Sequence, residues 1–140
     1  MRILIVDNNV ELCQVLEEYL NAQPDLEVMG VAHDGERALA ITQQEEYDLM
    51  LLDVTMPYLD GIGVLERLRM IELPKRPKVI VITAFGTDGL MSRLTALGAD
   101  YFVLKPFRLE MLAQRIRQFC GGIPSLVAHE HASTKESALN

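Results

Sequence analysis

The chain has 140 residues, of which 49% are hydrophobic and 24% charged, and its formal net charge is −7. That length supports one ordinary core with a short tail, and the composition excludes a disordered chain. The acidic balance, with no block or stripe of Lys and Arg, argues against direct nucleic-acid binding by this chain, because neutralising phosphates takes clustered cations.

Short apolar runs alternate with amphipathic stretches. Arg2–Val6 is a continuous apolar run and reads as a buried strand ending in Asp7-Asn8-Asn9. Val10 to Ala22 follows as a helix, with Asn9 as its N-cap, Val10, Cys13, Leu16 and Leu20 on one face, and a break at Pro24-Asp25. Leu26–Ala32 is a second strand and Gly35–Gln44 a second, weaker helix. Leu49–Leu52 is a third strand that stops at Asp53, and Pro57 and Gly61 frame the loop before a helix over Ile62–Met70, with Ile62, Leu65 and Leu68 inward. Leu73–Lys78, with its two prolines, is a connector.

Val79–Ile82 is the most β-branched run and ends at Thr83. Thr87–Leu97 is helical in pattern but carries Gly89, which makes it the least stable helix expected. Tyr101–Leu104 is a fifth strand ending at Lys105-Pro106, and Arg108–Cys120 is a last helix with Leu109, Leu112, Ile116 and Phe119 on one face. After Gly121-Gly122 the pattern dissolves into small and charged residues, so residues 121–140 read as a linker or tail behind a domain over 1–120.

Strands apolar on both faces that alternate five times with helices predict an α/β fold with a doubly wound parallel sheet. No apolar run approaches a membrane span, and Ile3–Val6 is too short for a signal-peptide core, so the cytoplasm is the expected location. Cys13 and Cys120 read as buried thiols, His33, His129 and His131 as surface histidines, and Met56 as a gap filler.

In such a sheet, ligands bind beyond the carboxyl ends of the strands, where strand order reverses. Asp7, Asp53, Thr83 and Lys105 each immediately follow an apolar run or close one, and all four fall at that edge. A core-only explanation would scatter polar residues over both edges. Two carboxylates and a nearby amide oxygen are hard ligands suited to Mg²⁺, and a carboxylate can attack phosphorus to form an acyl phosphate. Phosphoryl transfer mainly needs positioning and charge neutralisation, which a metal and the Lys105 ammonium would supply, while the Thr83 hydroxyl can donate to the product. Singly, Asp7 is as readily a cap, Thr83 a strand former, Lys105 a solvated charge and Phe102 core packing. The set is stronger than its members.

The segments Ile5-Val6-Asp7-Asn8-Asn9, Leu52-Asp53-Val54-Thr55-Met56-Pro57, Ile82-Thr83-Ala84 and Leu104-Lys105-Pro106-Phe107 resemble, in order and spacing, the receiver domains of two-component response regulators. The resemblance implies a flavodoxin-like strand order 2-1-3-4-5 with five helices. It implies that Asp53 is the phosphoacceptor, that Asp7, Asn8, Asp53 and the Thr55 backbone carbonyl serve Mg²⁺, and that Lys105 and Thr83 bind the phosphoryl group. Phe102 matches the family's switch aromatic, and the peptide before Pro106 would be cis. A histidine kinase or histidine phosphotransferase would be the phosphoryl donor, and phosphorylation could drive a homodimer.

Glu27–Ala32, Leu65–Arg69, Thr83–Gly86 and Tyr101–Phe107 further resemble the receivers of sporulation-initiation regulators of endospore-forming bacteria, in which a linker leads to a DNA-binding domain. The tail after Gly121 would then begin such a linker toward an output domain absent from this chain. One residue departs from the family: Asn8 stands where a second acid is usual, which removes one negative charge from the metal side. Three other readings stand beside this one. A flavin or nucleotide carrier of the same topology needs a phosphate-binding Gly- or Ser/Thr-rich loop after strand one, where Asp7-Asn8-Asn9 has the wrong sign. An aspartyl-nucleophile Mg²⁺ phosphatase needs an acid two residues after its nucleophile, where Thr55 stands, and a receiver-like interaction module without phosphotransfer has only Asn8 in its favour.

Overall fold

A computed structural model describes residues 1–56 and 60–120. Five strands and five helices alternate: β1 Arg2–Val6, α1 Val10–Asn21, β2 Glu27–Ala32, α2 Gly35–Gln44, β3 Leu49–Asp53, α3 Gly61–Leu68, β4 Lys78–Thr83, α4 Asp88–Ala96, β5 Tyr101–Leu104 and α5 Leu109–Cys120. The strands form one parallel sheet in the order β2-β1-β3-β4-β5, the flavodoxin-like order expected. The chain divides after Lys105 into two compact units. The first holds the whole sheet with α1 to α4. Within the described residues, the second holds α5, whose Leu112, Ala113 and Ile116 are buried. Among the described residues, no helix is long and apolar enough to cross a membrane.

The elements start and stop for local reasons. Asn9, Asp34, Asp60 and Thr87 each cap a helix, their side-chain oxygens accepting from the backbone N–H of Leu12, Arg37, Gly63 and Leu90. Helix α4 ends at Gly98, whose φ of 114° belongs to the left-handed region. There the Ala99 N–H bonds to Leu94 O at 3.0 Å and the Gly98 N–H to Thr95 O at 3.0 Å, closing the helix over its last carbonyls.

The central strands β1, β3 and β4 are buried almost throughout, with Leu4, Met50, Leu52 and Val81 in the core beside Leu65 of α3 and Leu94 of α4. The edge strands differ from expectation. β2 alternates between exposed and buried, with Met29 41% exposed where the β1–β2 register skips a residue between Ile3 and Leu4. β5 buries only Val103 fully. A strand with one neighbour is covered less completely than a central one, and the apolar spelling of the sequence does not distinguish the two.

Three smaller expectations also change. Val10 is half exposed, because α1 meets the core only from Cys13 onward. Phe119, in the last turn of α5, is 41% exposed rather than inward. Cys13 is buried but Cys120 only partly so. In α4, Leu94 is the one fully buried side chain.

Carboxylates also stand at the amino edge of the sheet, contrary to the one-edge pattern. Asp48 accepts from the Arg2 backbone N–H at 2.7 Å and pairs with Lys75, and Asp100 accepts from the Val79 N–H at 2.8 Å. Those acids satisfy backbone donors near the amino ends of β1 and β4, so they belong to the scaffold. The carboxyl edge holds its acids differently.

Candidate functional site

β1 and β3 are neighbours at the point where strand order reverses, and each delivers an aspartate to the carboxyl edge. Asp7 and Asp53 are 3% and 6% exposed, so both carboxyl groups are taken almost entirely out of bulk water. Lys105, just past β5, reaches between them: its Nζ lies 3.4 Å from Asp7 Oδ2 and 3.6 Å from Asp53 Oδ1. The Lys105 N–H bonds to Thr83 O at 2.8 Å, so β4 and β5 stay paired up to the site.

Burial raises the Asp53 pKa above the ordinary 3.8, and the Asp7 charge raises it further. Lys105 opposes this, as does a hydrogen bond from the Thr55 backbone N–H. A more basic carboxylate is a stronger nucleophile, and this one is held ready at a strand end. The neighbouring Cys13 thiol is pushed up to about 11, chiefly by burial and then by Asp7, which keeps it protonated and inert.

The structure brings Asp7, Asp53 and Lys105 together and leaves the other predicted residues around them. The Thr83 side chain is buried, but its hydroxyl accepts from the Phe85 N–H at 3.0 Å and donates to Phe85 O at 3.4 Å. Asn8 and Thr55 are exposed at the rim. Phe102 is half-buried, packed against the core, and borders a hollow of about 540 Å³ with Met91, Ser92, Thr95 and Ala96 of α4. Pro57, His129, His131 and the tail 121–140 lie outside the described residues.

The donor set fits a divalent cation such as Mg²⁺. Two carboxylates share one ammonium, so hard oxygen atoms outnumber the one cation beside them. Among the described residues, no group of three His, Cys, Asp or Glu side chains could enclose a metal. Mg²⁺ asks for no such cage, since it binds through one or two carboxylates and keeps several waters or phosphate oxygens. Exposed Asn8 and Thr55 leave room for them.

Gly61 is a site residue that the sequence reading treated only as loop. A Cβ there would lie 2.7 Å from Asp53 O and 2.8 Å from Val54 Cα, both backbone atoms that cannot swing aside. Its N–H bonds to Val54 O at 2.8 Å, tying the start of α3 to the end of β3. Gly61→Ala should therefore destabilise the fold by about 1–3 kcal/mol, the usual cost of overpacking. Urea unfolding checks this, and an unchanged midpoint would mean the loop yields freely.

The fold is similar to that of solved proteins. The chain is 27% identical to the response regulator domain of Thermotoga maritima CheB over 89% of this chain and 98% of that one, with a TM-score of 0.77. It is 26% identical to the signal receiver domain of the putative response regulator NarL from Mycobacterium tuberculosis, covering 87% and 97% with a TM-score of 0.79. For the Vibrio cholerae chemotaxis protein CheY4 the identity is 27%, the coverage 84% and 97%, and the TM-score 0.77. Residues 3–117, which carry all five strands except Arg2 and most of α5, match the family model described as the response regulator receiver domain, and the chain belongs to that family.

Proposed function

We propose that this chain is a phosphorylation switch that accepts a phosphoryl group on Asp53. The observation that carries the reading is the buried Asp53 carboxylate at the end of β3, beside Asp7 and 3.6 Å from the Lys105 ammonium. Receivers of this family are signalling modules that interact with histidine kinases or phosphotransferases, and they generally bind Mg²⁺ at the phosphorylation site. A phosphohistidine partner is accordingly the proposed donor.

An Asp53 carboxylate oxygen attacks the phosphorus, the new O–P bond forms as the donor's N–P bond breaks, and the released imidazole takes its proton from solvent. Lys105 sits where it neutralises charge on the transferring oxygens. Asp7, Asn8, Asp53 and the Thr55 carbonyl would hold Mg²⁺, which when bound offsets the charge of the phosphoryl oxygens. The Thr83 hydroxyl leaves Phe85 to donate to the phosphoryl group. The proposed consequence is a change of surface at α4 and β5 that drives homodimerisation or partner binding. Control of a DNA-binding, sporulation-type output through residues 121–140 is proposed from the resemblance carried by Glu27–Ala32, Leu65–Arg69, Thr83–Gly86 and Tyr101–Phe107.

Intact mass after incubation with acetyl phosphate and Mg²⁺ tests the reading. One phosphoryl group should be added, with the linkage cleaved by hydroxylamine as an acyl phosphate is. No addition from acetyl phosphate or from a phosphohistidine donor would favour an interaction module instead.

Asn8 sets a second expectation. Asn8→Asp adds a negative charge at the rim, partly screened because the position is exposed. It should tighten Mg²⁺ binding about tenfold, or roughly 1.4 kcal/mol. Metal titration of both proteins decides it: equal affinities would mean that the amide oxygen already does the work of an acid.

A further inference from the structure

Two side chains with no part in the phosphoryl chemistry converge on one backbone atom of Asp7. The β1–β2 ladder ends at the pair Val6 and Ala32, and the Asp7 N–H still reaches Ala32 O at 3.0 Å. The Asp7 carbonyl lies past the last paired residues. Its partners are the Cys13 thiol of α1, with Sγ at 3.3 Å, and the His33 ring just after β2, with Nδ1 at 3.1 Å.

A carbonyl oxygen has no proton to give, so the contact with His33 is a hydrogen bond only when Nδ1 carries the hydrogen. Nδ1 then cannot accept from Cys13, whose sulfur is 3.8 Å away, and the thiol proton also turns to the Asp7 carbonyl. That carbonyl belongs to the peptide plane joining Asp7 to Asn8. Fixing it fixes the direction in which Asp7 presents its carboxylate and the backbone from which Asn8 departs. The Asn9 N–H, 2.8 Å from Asp7 Oδ1, locks the same turn from its other side.

We infer that His33 is a positioning residue: its Nδ1–H, with the Cys13 thiol, clamps the Asp7–Asn8 peptide and so presets the acid and the amide that face the metal. The sequence alone gave His33 no more than a surface role. Its place follows from the parallel register, which sets Ala32 beside Val6 and therefore the next residue beside Asp7. The inference deepens the phosphoacceptor reading and rests on it for the identity of the metal side.

The test compares wild type, His33→Ala and His33→Asn, whose side-chain N–H stands close to the place of Nδ1–H. Mg²⁺ binding is followed by the backbone amide NMR shifts of Asp7, Asn8 and Asn9, and phosphorylation by acetyl phosphate is measured across the same Mg²⁺ range. His33→Ala should weaken Mg²⁺ affinity by about threefold to tenfold, the range of one neutral hydrogen bond. His33→Asn should recover affinity to within about twofold of wild type, which a generic packing role would not produce. In the long-range ¹H–¹⁵N spectrum of the neutral ring, His33 should carry its proton on Nδ1. An Nε2–H tautomer, equal Mg²⁺ affinity in all three proteins, or an Asn variant as weak as the Ala variant would overturn the clamp. Mg²⁺ binding with the expected order of affinities, but no phosphoryl addition to wild type, would support the clamp and overturn the phosphoacceptor reading alone.

Discussion

Asp53→Asn should take up no phosphoryl group from acetyl phosphate or a phosphohistidine donor, and it should fold more stably than wild type at pH 7. Both halves follow from the same burial. The amide lacks the anionic oxygen that attacks phosphorus, so addition to Asp53 stops entirely. The stability half is a matter of linkage. Burial and the Asp7 charge raise the Asp53 pKa above its ordinary value, against the pull of Lys105. A carboxyl group with a raised folded pKa keeps its proton longer in the folded chain than in the unfolded one. Between the two pKa values the native state therefore binds more protons, and stability falls as pH rises through that window. Above the folded pKa the loss is complete, and wild type carries it wherever Asp53 is ionised. The Asn variant carries none, and Lys105 still has Asp7 at 3.4 Å.

The expected gain shows as a higher urea midpoint for the variant at pH 7. It should shrink as pH is lowered through the folded pKa of Asp53 toward 3.8 and vanish below it. Urea unfolding of both proteins at several pH values measures this. A variant less stable than wild type at pH 7 would show that Asp53 is a net structural asset. Phosphoryl addition persisting in the variant would move the acceptor elsewhere.

Asp7, Asp53 and Lys105 were legible as a group because a parallel sheet gathers the residues that follow its strands at one edge, whatever their distance in sequence. Asp48 and Asp100 show the limit of that logic. They too sit at strand ends, and only their bonds to the Arg2 and Val79 backbone donors reveal them as scaffold. Edge position was not legible, since Leu26–Ala32 and Tyr101–Leu104 are spelled as apolar as the centre, yet Met29 and Leu104 face solvent. The pairing of His33 with Asp7 was hidden for another reason: it depends on the register between β1 and β2, which no local pattern encodes. Gly61 lay in plain sight as a loop glycine, but its need for space comes from Asp53 O, eight residues earlier in the chain.

Thr83→Ala should still be phosphorylated on Asp53, yet lose most of the phosphorylation-dependent change in association. In the described state the Thr83 hydroxyl is spent on Phe85, accepting from its N–H and donating to its carbonyl. A phosphoryl group on Asp53 offers that hydroxyl a charged acceptor, and hydrogen bonds to charged groups outweigh neutral ones by about twofold. Moving Thr83 releases the turn that leads to α4. That helix is lightly held: Leu94 is its one fully buried side chain, and Met91, Ser92, Thr95 and Ala96 line an open hollow together with Phe102. Phe102 has the size to enter vacated volume, and a close-packed interior resolves such a shift into two discrete arrangements. Removing the hydroxyl cuts the link between charge and turn without touching Asp53, Asp7 or Lys105, so the chemistry survives and the response does not. Phe102→Ala should fail in the same way, because the hollow then has nothing to fill it. Sedimentation or partner-binding assays, each run with and without acetyl phosphate, read the difference directly. Wild-type responses in both variants would assign Thr83 and Phe102 to the core alone and place the switch in another part of the fold.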